Sequence, residues 1–258
     1  MPRPAARRLP ANSQILAQTD DQYSVLEEWV RSVSAPSDSL LDIGAGDGDD
    51  DYTALVRPLV GHMTGLDPTV QSSPSQALDG WFHGTVQDYA AARRTTGQAP
   101  SPPFDLALAI YVVEHVPDPV AFFRAARSCL RPGGSLFFVT PNLWHYFGLA
   151  AKVTMALGVD DVLLKLLRRN GLHDHQHQHH TQPAHFPVAY RANSVRSLGS
   201  IGFEAGYSRL EIKHLENPAV FETYFGGRAA AWPRAYSKAV HRLGRPELFG
   251  TLICRFVN

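Results

Sequence analysis

Asp42 stands two residues before the first of three alternating glycines, in the run Leu40-Leu41-Asp42-Ile43-Gly44-Ala45-Gly46-Asp47-Gly48. Apolar residues leading into such a run predict a buried strand that ends in a tight turn poor in Cβ atoms. A backbone that bare can lie against a ligand. A carboxylate at the strand's end is an acceptor suited to a cationic amine. Asp67 closes a second short apolar run, about where the adjacent parallel strand should end. A carboxylate there can accept ribose hydroxyl hydrogens; Asp-Pro also starts turns, and both readings stay open. Glu114 and His115 follow a third apolar run, Phe104 to Ile110. A carboxylate and an imidazole can each take a proton from a hydroxyl or an amine. The run His173-Asp174-His175-Gln176-His177-Gln178-His179-His180, with His185 beyond it, offers nitrogen ligands. Two-residue spacing in a loop fixes no coordination geometry, so a solvated, pH-sensitive hinge is the commoner role.

These groups need a scaffold. Tyr23, Leu26, Val30 and Val33 recur at helical spacing and predict a helix from Asp20 to about Val33. It either packs on the sheet edge or covers a bound ligand with Tyr23 or Trp29. Asp49, Asp50 and Asp51 stand where first-turn acids favour a helix dipole, so the glycine turn opens a short helix to Val56. Val60 to Asp67 is a second strand, and Trp81 to Tyr89 a third strand and its exit. Phe104 to Ile110 is apolar almost throughout, as a strand buried on both faces should be. Asp118 and Pro119 read as the N-cap and first residue of a helix to Leu130. Arg131-Pro132-Gly133-Gly134 turns it into strand Ser135–Thr140, a right-handed crossover. Leu149 to Leu167 is helical and apolar. The remainder reads as a helix to about Ile201, a strand from Tyr207 to Leu215, a helix near 228–243 and a last strand over 248–257.

Composition narrows the function. The chain has 258 residues, 24 basic and 24 acidic, for a formal net charge of zero, which argues against a broad nucleic-acid footprint. Its 44% apolar content supports one large core. Cys129 and Cys254 form neither a disulfide framework nor a zinc spacing. No stretch reaches the length of a membrane span, and no apolar signal core opens the chain, so a cytoplasmic protein is expected, with no more than peripheral membrane contact. Residues 1–12 are rich in Pro and Arg. Residues 1–19 are expected to be disordered, and 20–258 to form one domain with 141–190 inserted as a lid. A monomer or homodimer is expected.

Asp42-x-Gly-x-Gly-x-Gly, with Asp67, the Glu114-His115-Val116-Pro117 block and the Leu130-Arg131-Pro132-Gly133-Gly134 turn, resembles the class I S-adenosylmethionine (SAM)-dependent methyltransferases over about residues 38–142. The block from Val113 to Pro119 looks like that of the ubiquinone-biosynthesis O-methyltransferases. The resemblance implies a Rossmann-like α/β fold: a seven-stranded, mostly parallel sheet with an antiparallel last strand, helices on both faces and a helical lid. It implies SAM as cofactor, held by Asp42, Gly44, Ala45, Gly46, Asp67, Pro68, Gln87, Asp88 and Ile110, with Asp88 at the adenine amino group. His115, after the fourth strand at the crevice and preceded by Glu114, is the best candidate base, so these two are the candidate catalytic residues; relatives without a metal keep Glu-His as a structural turn, and both readings stay open. The divalent metal of the ubiquinone subgroup needs a glutamate where this chain has Tyr111, so no metal is expected. The acceptor is expected to be a small molecule, most simply the hydroxyl oxygen of an apolar or aromatic metabolite. A catalytically silent SAM-binding scaffold is the alternative. A nicotinamide-dependent oxidoreductase fits less well, because Gly48 comes one residue early for G-x-G-x-x-G and Asp49 stands at the third glycine's place. A protein or nucleic-acid methyltransferase fits less well too, because Ile110-Tyr111-Val112-Val113 replaces an Asn/Asp-Pro-Pro-aromatic motif.

Overall fold

A computed structural model describes residues 7–72, 75–95, 103–156, 188–219 and 231–258. Apolar side chains at alternate positions make strands whose two faces both need covering. The strands are β1 (Ala11–Ile15), β2 (Ser39–Ile43), β3 (His62–Asp67), β4 (Gly80–His83), β5 (Phe104–Ile110), β6 (Leu130–Pro141), β7 (Arg209–Leu215) and β8 (Thr251–Val257). They form one sheet in the order β1-β7-β8-β6-β5-β2-β3-β4. Every pairing is parallel except those of β8, which runs antiparallel to both β6 and β7. The helices are α1 (Gln22–Arg31), α2 (Asp51–Val56), α3 (Val86–Thr95), α4 (Pro119–Cys129), α5 (Tyr146–Ala156), α6 (Val195–Ala205) and α7 (Ala231–Leu243).

The pleat divides the core in two. Ala107, Ala109, Leu136 and Phe138 face one side with Phe123 of α4 and Leu198 of α6. Leu106, Leu108, Phe137 and Val139 face the other with Leu26 and Val30 of α1 and Val56 of α2. Asp42 alternates with Leu41 and Ile43 and shares its face with Leu40, so it points toward α1 and α2. The expected caps are present: the Asp118 side chain accepts from the Ala121 N–H at 3.0 Å and Pro119 opens α4.

Two expectations are corrected. The described sheet has eight strands, not seven, and the segment expected to be disordered contributes the extra one. Ala11–Ile15 pairs in parallel with Leu210–His214 of β7. Its sequence, Ala-Asn-Ser-Gln-Ile, shows no apolar alternation because an edge strand needs only a free row of backbone partners. Space for the approach comes from α6. A Cβ on Gly199 would meet the Leu9 carbonyl oxygen at 2.8 Å, and one on Gly202 would meet Phe256 at 2.4 Å. The expected strand over Trp81–Tyr89 ends at His83, and Val86 begins α3, so Gln87 and Asp88 lie in a helix's first turn. Of the expected apolar helix 149–167, α5 covers residues to Ala156; the rest of the lid and the histidine run lie outside the described residues.

Gly202→Ala should therefore overpack β8 against α6. The expected loss is about 1–3 kcal/mol, read as a lower urea midpoint with an unchanged slope. An unchanged midpoint would show that Phe256 yields without cost.

A crevice at the switch point of the sheet

The strand order reverses between β2 and β5, and in open α/β sheets ligands bind outside the carboxyl ends of strands at such a point. β2 delivers the glycine turn there, and β5 delivers Ile110, Tyr111 and Val112. Gly44, Gly46 and Gly48 adopt φ angles of 76°, 57° and 81°, a region side chains rarely enter. The loop N–H groups are anchored on β3: Gly44 and Ala45 both donate to the Leu66 carbonyl, at 2.8 and 3.0 Å. Val112 packs so closely on Gly44 that a Cβ there would lie 2.5 Å from its methyl carbon. The two sides of the crevice thus touch at the loop's first glycine.

Asp42 lies beneath this loop, 3% exposed, and accepts a hydrogen bond from the Thr53 hydroxyl at 2.9 Å. Burial pushes its pKa up to about 8, the Asp50 carboxylate adds to the shift, and Thr53 opposes it. The protonated form of the acid is therefore favoured at neutral pH. Asp67 is also buried, and its two oxygens are engaged. Oδ2 accepts from the Gly46 N–H at 3.2 Å; Oδ1 accepts from the Thr69 N–H and hydroxyl and from the Val70 N–H. It ties the glycine loop to the turn after β3. Pro68 beside it is exposed. Asp88 is exposed and accepts from the Thr85 N–H and hydroxyl, which hold its pKa below the usual range. Gln87 and Ile110 are half-buried.

Just past the carboxyl end of β5, Tyr111 is held at φ 54° although it is bulky, an arrangement that costs on the order of 1–3 kcal/mol. Its N–H still donates to Val139 of β6, at 2.9 Å. Its hydroxyl donates to the Gln22 side chain of α1 at 2.7 Å. Tyr23 of α1 stacks on Tyr52 of α2, with ring centroids 4.4 Å apart. The buried Tyr52 hydroxyl interacts with that of Tyr111. Of the two aromatics expected to cover a ligand, Tyr23 thus sits with the crevice tyrosines. Trp29 packs edge-on against Phe137 under the Lys213 ammonium, as a sheet-packing residue does.

Val113–His115 forms a single 3-10 turn. Glu114 is 5% exposed, and burial raises its pKa to about 7 against the opposing pull of its own N–H and the Thr140 hydroxyl. Tyr190, at φ 48°, and Tyr111 are the non-glycine residues with positive φ among those described. The Glu114 carboxylate adds to the upward shift of both phenols, whose main cause is burial. His115 is half-buried at the end of the same turn. Among the described residues no three His, Cys, Asp or Glu side chains gather as a metal site would require. A cleft of about 540 Å³ lies at the far edge of the sheet, lined by Arg8, Trp144 and Arg196, and none of the crevice residues borders it. Nothing in the spacing pointed to Gln22, Thr53 or Tyr190, and Tyr111 stood out only as the residue in a glutamate's place.

Residues 11–189 match the profile of a methyltransferase domain family. Among curated proteins, the ubiquinone biosynthesis O-methyltransferase of Bordetella avium is 28% identical over 182 residues, covering 69% of this chain and 70% of that protein. That of Aromatoleum aromaticum is 31% identical over 57% of this chain and 61% of its own length. That of Cereibacter sphaeroides is 34% identical over 46% and 49%. The matches thus span between about half and 70% of these relatives. A SAM-dependent methyltransferase structure from Archaeoglobus fulgidus superposes with a TM-score of 0.53 at 15% identity, over 92% of this chain and 95% of that one. One from Mesorhizobium loti does so with 0.50 at 13%, over 93% and 99%. At these identities the likeness is one of fold. No helix among the described residues is long and apolar enough to cross a membrane.

Asp42 and Glu114 hold their protons to higher pH in the fold than in the unfolded chain. Each therefore takes stability away as pH rises from its ordinary value, 3.8 or 4.5, to about 8 or about 7, and takes no more above that. The urea midpoint of the ligand-free protein should be lower at pH 8.5 than at pH 5.5. Asp42→Asn should remove much of that decline, and a decline of undiminished size in the variant would refute the assignment.

Proposed function

Since the chain belongs to the methyltransferase domain family, we propose that it binds SAM in the crevice between β2 and β5 and methylates a small molecule, at a hydroxyl oxygen of an apolar or aromatic metabolite. The observation that carries this reading is a buried carboxyl group, Asp42, held by Thr53 under a left-handed glycine loop at the sheet's switch point. A pyrophosphate would need donors at the helix N-terminus; this loop has spent its first N–H groups on Leu66 and offers an acid. SAM carries a cationic amine, and arrival of that charge favours ionised Asp42. The relatives called ubiquinone biosynthesis O-methyltransferases support an oxygen acceptor.

In this reading Gly44, Ala45 and Gly46 lie along the methionyl part. Asp67 and Pro68 meet the ribose, Gln87 and Asp88 meet the adenine, and Ile110 closes the pocket from β5. Asp67 can accept the ribose hydroxyls only alongside Gly46 and Thr69, which already use it. Bound SAM supplies an electrophilic methyl group on a sulfonium. The chain's own work is to align the acceptor, exclude water and remove a proton. Glu114 and His115 are the groups for that proton, on one turn at the end of β5. Gln22 and Tyr23 bring α1 over the same opening, joined to Tyr111 and Tyr52.

The test is a SAM-consumption assay over phenols, quinones, sugars and amines, with mass detection of the methylated product. Turnover of a hydroxylated aromatic is expected; SAM binding without turnover anywhere in the panel would favour a silent scaffold. Asp42→Asn should raise the dissociation constant for SAM at least ~10-fold. His115→Ala should cut turnover by about 100-fold while leaving SAM affinity nearly intact. Unchanged turnover would remove His115 from the mechanism.

A further inference from the structure

Beneath Glu114 lies a polar chain in an otherwise apolar layer. Asn193, Thr140 and Glu114 are 1%, 0% and 5% exposed. The Asn193 Nδ2 amide lies 2.6 Å from the Thr140 Oγ1 hydroxyl, and that hydroxyl lies 3.1 Å from Glu114 Oε2. The direction of these bonds follows from donor chemistry. An amide nitrogen can only donate, and the second Nδ2 hydrogen is committed to the Pro141 carbonyl at 3.1 Å. Thr140 therefore accepts from Asn193, and its single hydroxyl hydrogen is left for the carboxylate. The result is a one-way relay of donors ending on Glu114.

Each member comes from a different part of the chain. Thr140 lies one residue before the end of β6, Glu114 lies in the turn after β5, and Asn193 precedes α6. The backbone reinforces the meeting point. The N–H groups of Ala189 and Tyr190 donate to the Glu114 carbonyl, and that of Leu143 donates to the Asn193 carbonyl. A buried hydroxyl and amide gain nothing from burial unless paired. A valine would fill the Thr140 position on the β6 strand at no such cost. The pairing runs toward the acid.

We propose that Thr140 and Asn193 are positioning residues for the reaction, a relay that fixes the Glu114 carboxylate in one orientation at the acceptor side of the crevice. This rests on the reading of Glu114 as a proton-accepting group, and the test separates the two. Asn193 acts through Thr140, so its removal should have the smaller effect. Among the described residues the Tyr111 and Tyr190 phenols, both neutral, feel the carboxylate, and the Thr140 hydroxyl and the residue's own N–H favour its ionised form.

The titration itself needs no acceptor. Protein labelled with carbon-13 at glutamate side chains is titrated by NMR, and the Glu114 carboxyl signal is identified by its loss in Glu114→Gln. A midpoint near 7 is expected for the native chain. Thr140→Val should raise it, a roughly 10-fold gain in proton affinity. Thr140→Ser, which keeps the hydroxyl, should restore it, and Asn193→Ala should give a partial rise in the same direction. If Thr140→Val does not fold, the Asn193→Ala and Thr140→Ser pair carries the comparison. An unmoved midpoint in the Val and Ala variants, or a Ser variant shifted as far as Val, overturns the relay. Turnover is measured alongside in Glu114→Gln. If it falls at least ~100-fold while the midpoints stay put, the base survives and the relay does not. If it is unchanged, the base reading fails, whatever the midpoints do.

Discussion

Three left-handed glycines in five residues let the chain leave β2 and turn toward α2 with a largely bare backbone at the switch point. That turn is only possible because β3 receives its N–H groups. Gly44 and Ala45 share the Leu66 carbonyl, and Gly46 reaches Asp67. β3 in turn needs β4 at its outer edge, and β2 needs β5 on its inner one. The sheet is thus the means by which a short, bare backbone is held still. Val112 then meets Gly44 from the β5 side and completes the crevice floor.

Around that floor the protein buries polar groups that an apolar core would exclude. Asp42, Asp67, Glu114, Thr53 and Thr140 are all nine-tenths or more buried. A buried carboxylate is tolerated when it is hydrogen-bonded or keeps its proton. Both solutions occur here. Asp67 takes donors on each oxygen, whereas Asp42 and Glu114 carry protons upward in pH. In the proposed reading, two of those acids flank the place where a cation arrives and a proton leaves. The strained Tyr111 and Tyr190 fall at the same place, one anchored to α1 and one to the Glu114 turn. Strain of that kind persists only where surrounding contacts over-determine it.

Much of the fold was legible because its strands obey simple patterns. Phe104–Ile110 is apolar almost throughout and lies between two parallel neighbours; Asp118-Pro119 caps a helix as expected. β1 was not legible, because an edge strand of Ala-Asn-Ser-Gln-Ile carries no alternation and depends on glycines almost two hundred positions away. At the site, the acids and glycines announced themselves by type and spacing. Their partners did not. Thr53, Gln22, Thr140 and Asn193 are ordinary polar residues whose roles come from tertiary contact, and a tyrosine gives no warning of a left-handed backbone. Asp88 shows the reverse: its spacing suggested a strand exit, while the local Thr85 hydroxyl draws it into a helix start.

The claim on which the account turns is that Asp42 waits as a buried neutral acid and ionises when SAM binds. Calorimetry of SAM alone, in buffers of differing ionisation enthalpy, counts the protons that binding releases. The account predicts release approaching one proton at pH 6.5, fading above pH 8, and absent in Asp42→Asn. Binding with no proton release, or with the same release in the variant, would contradict it.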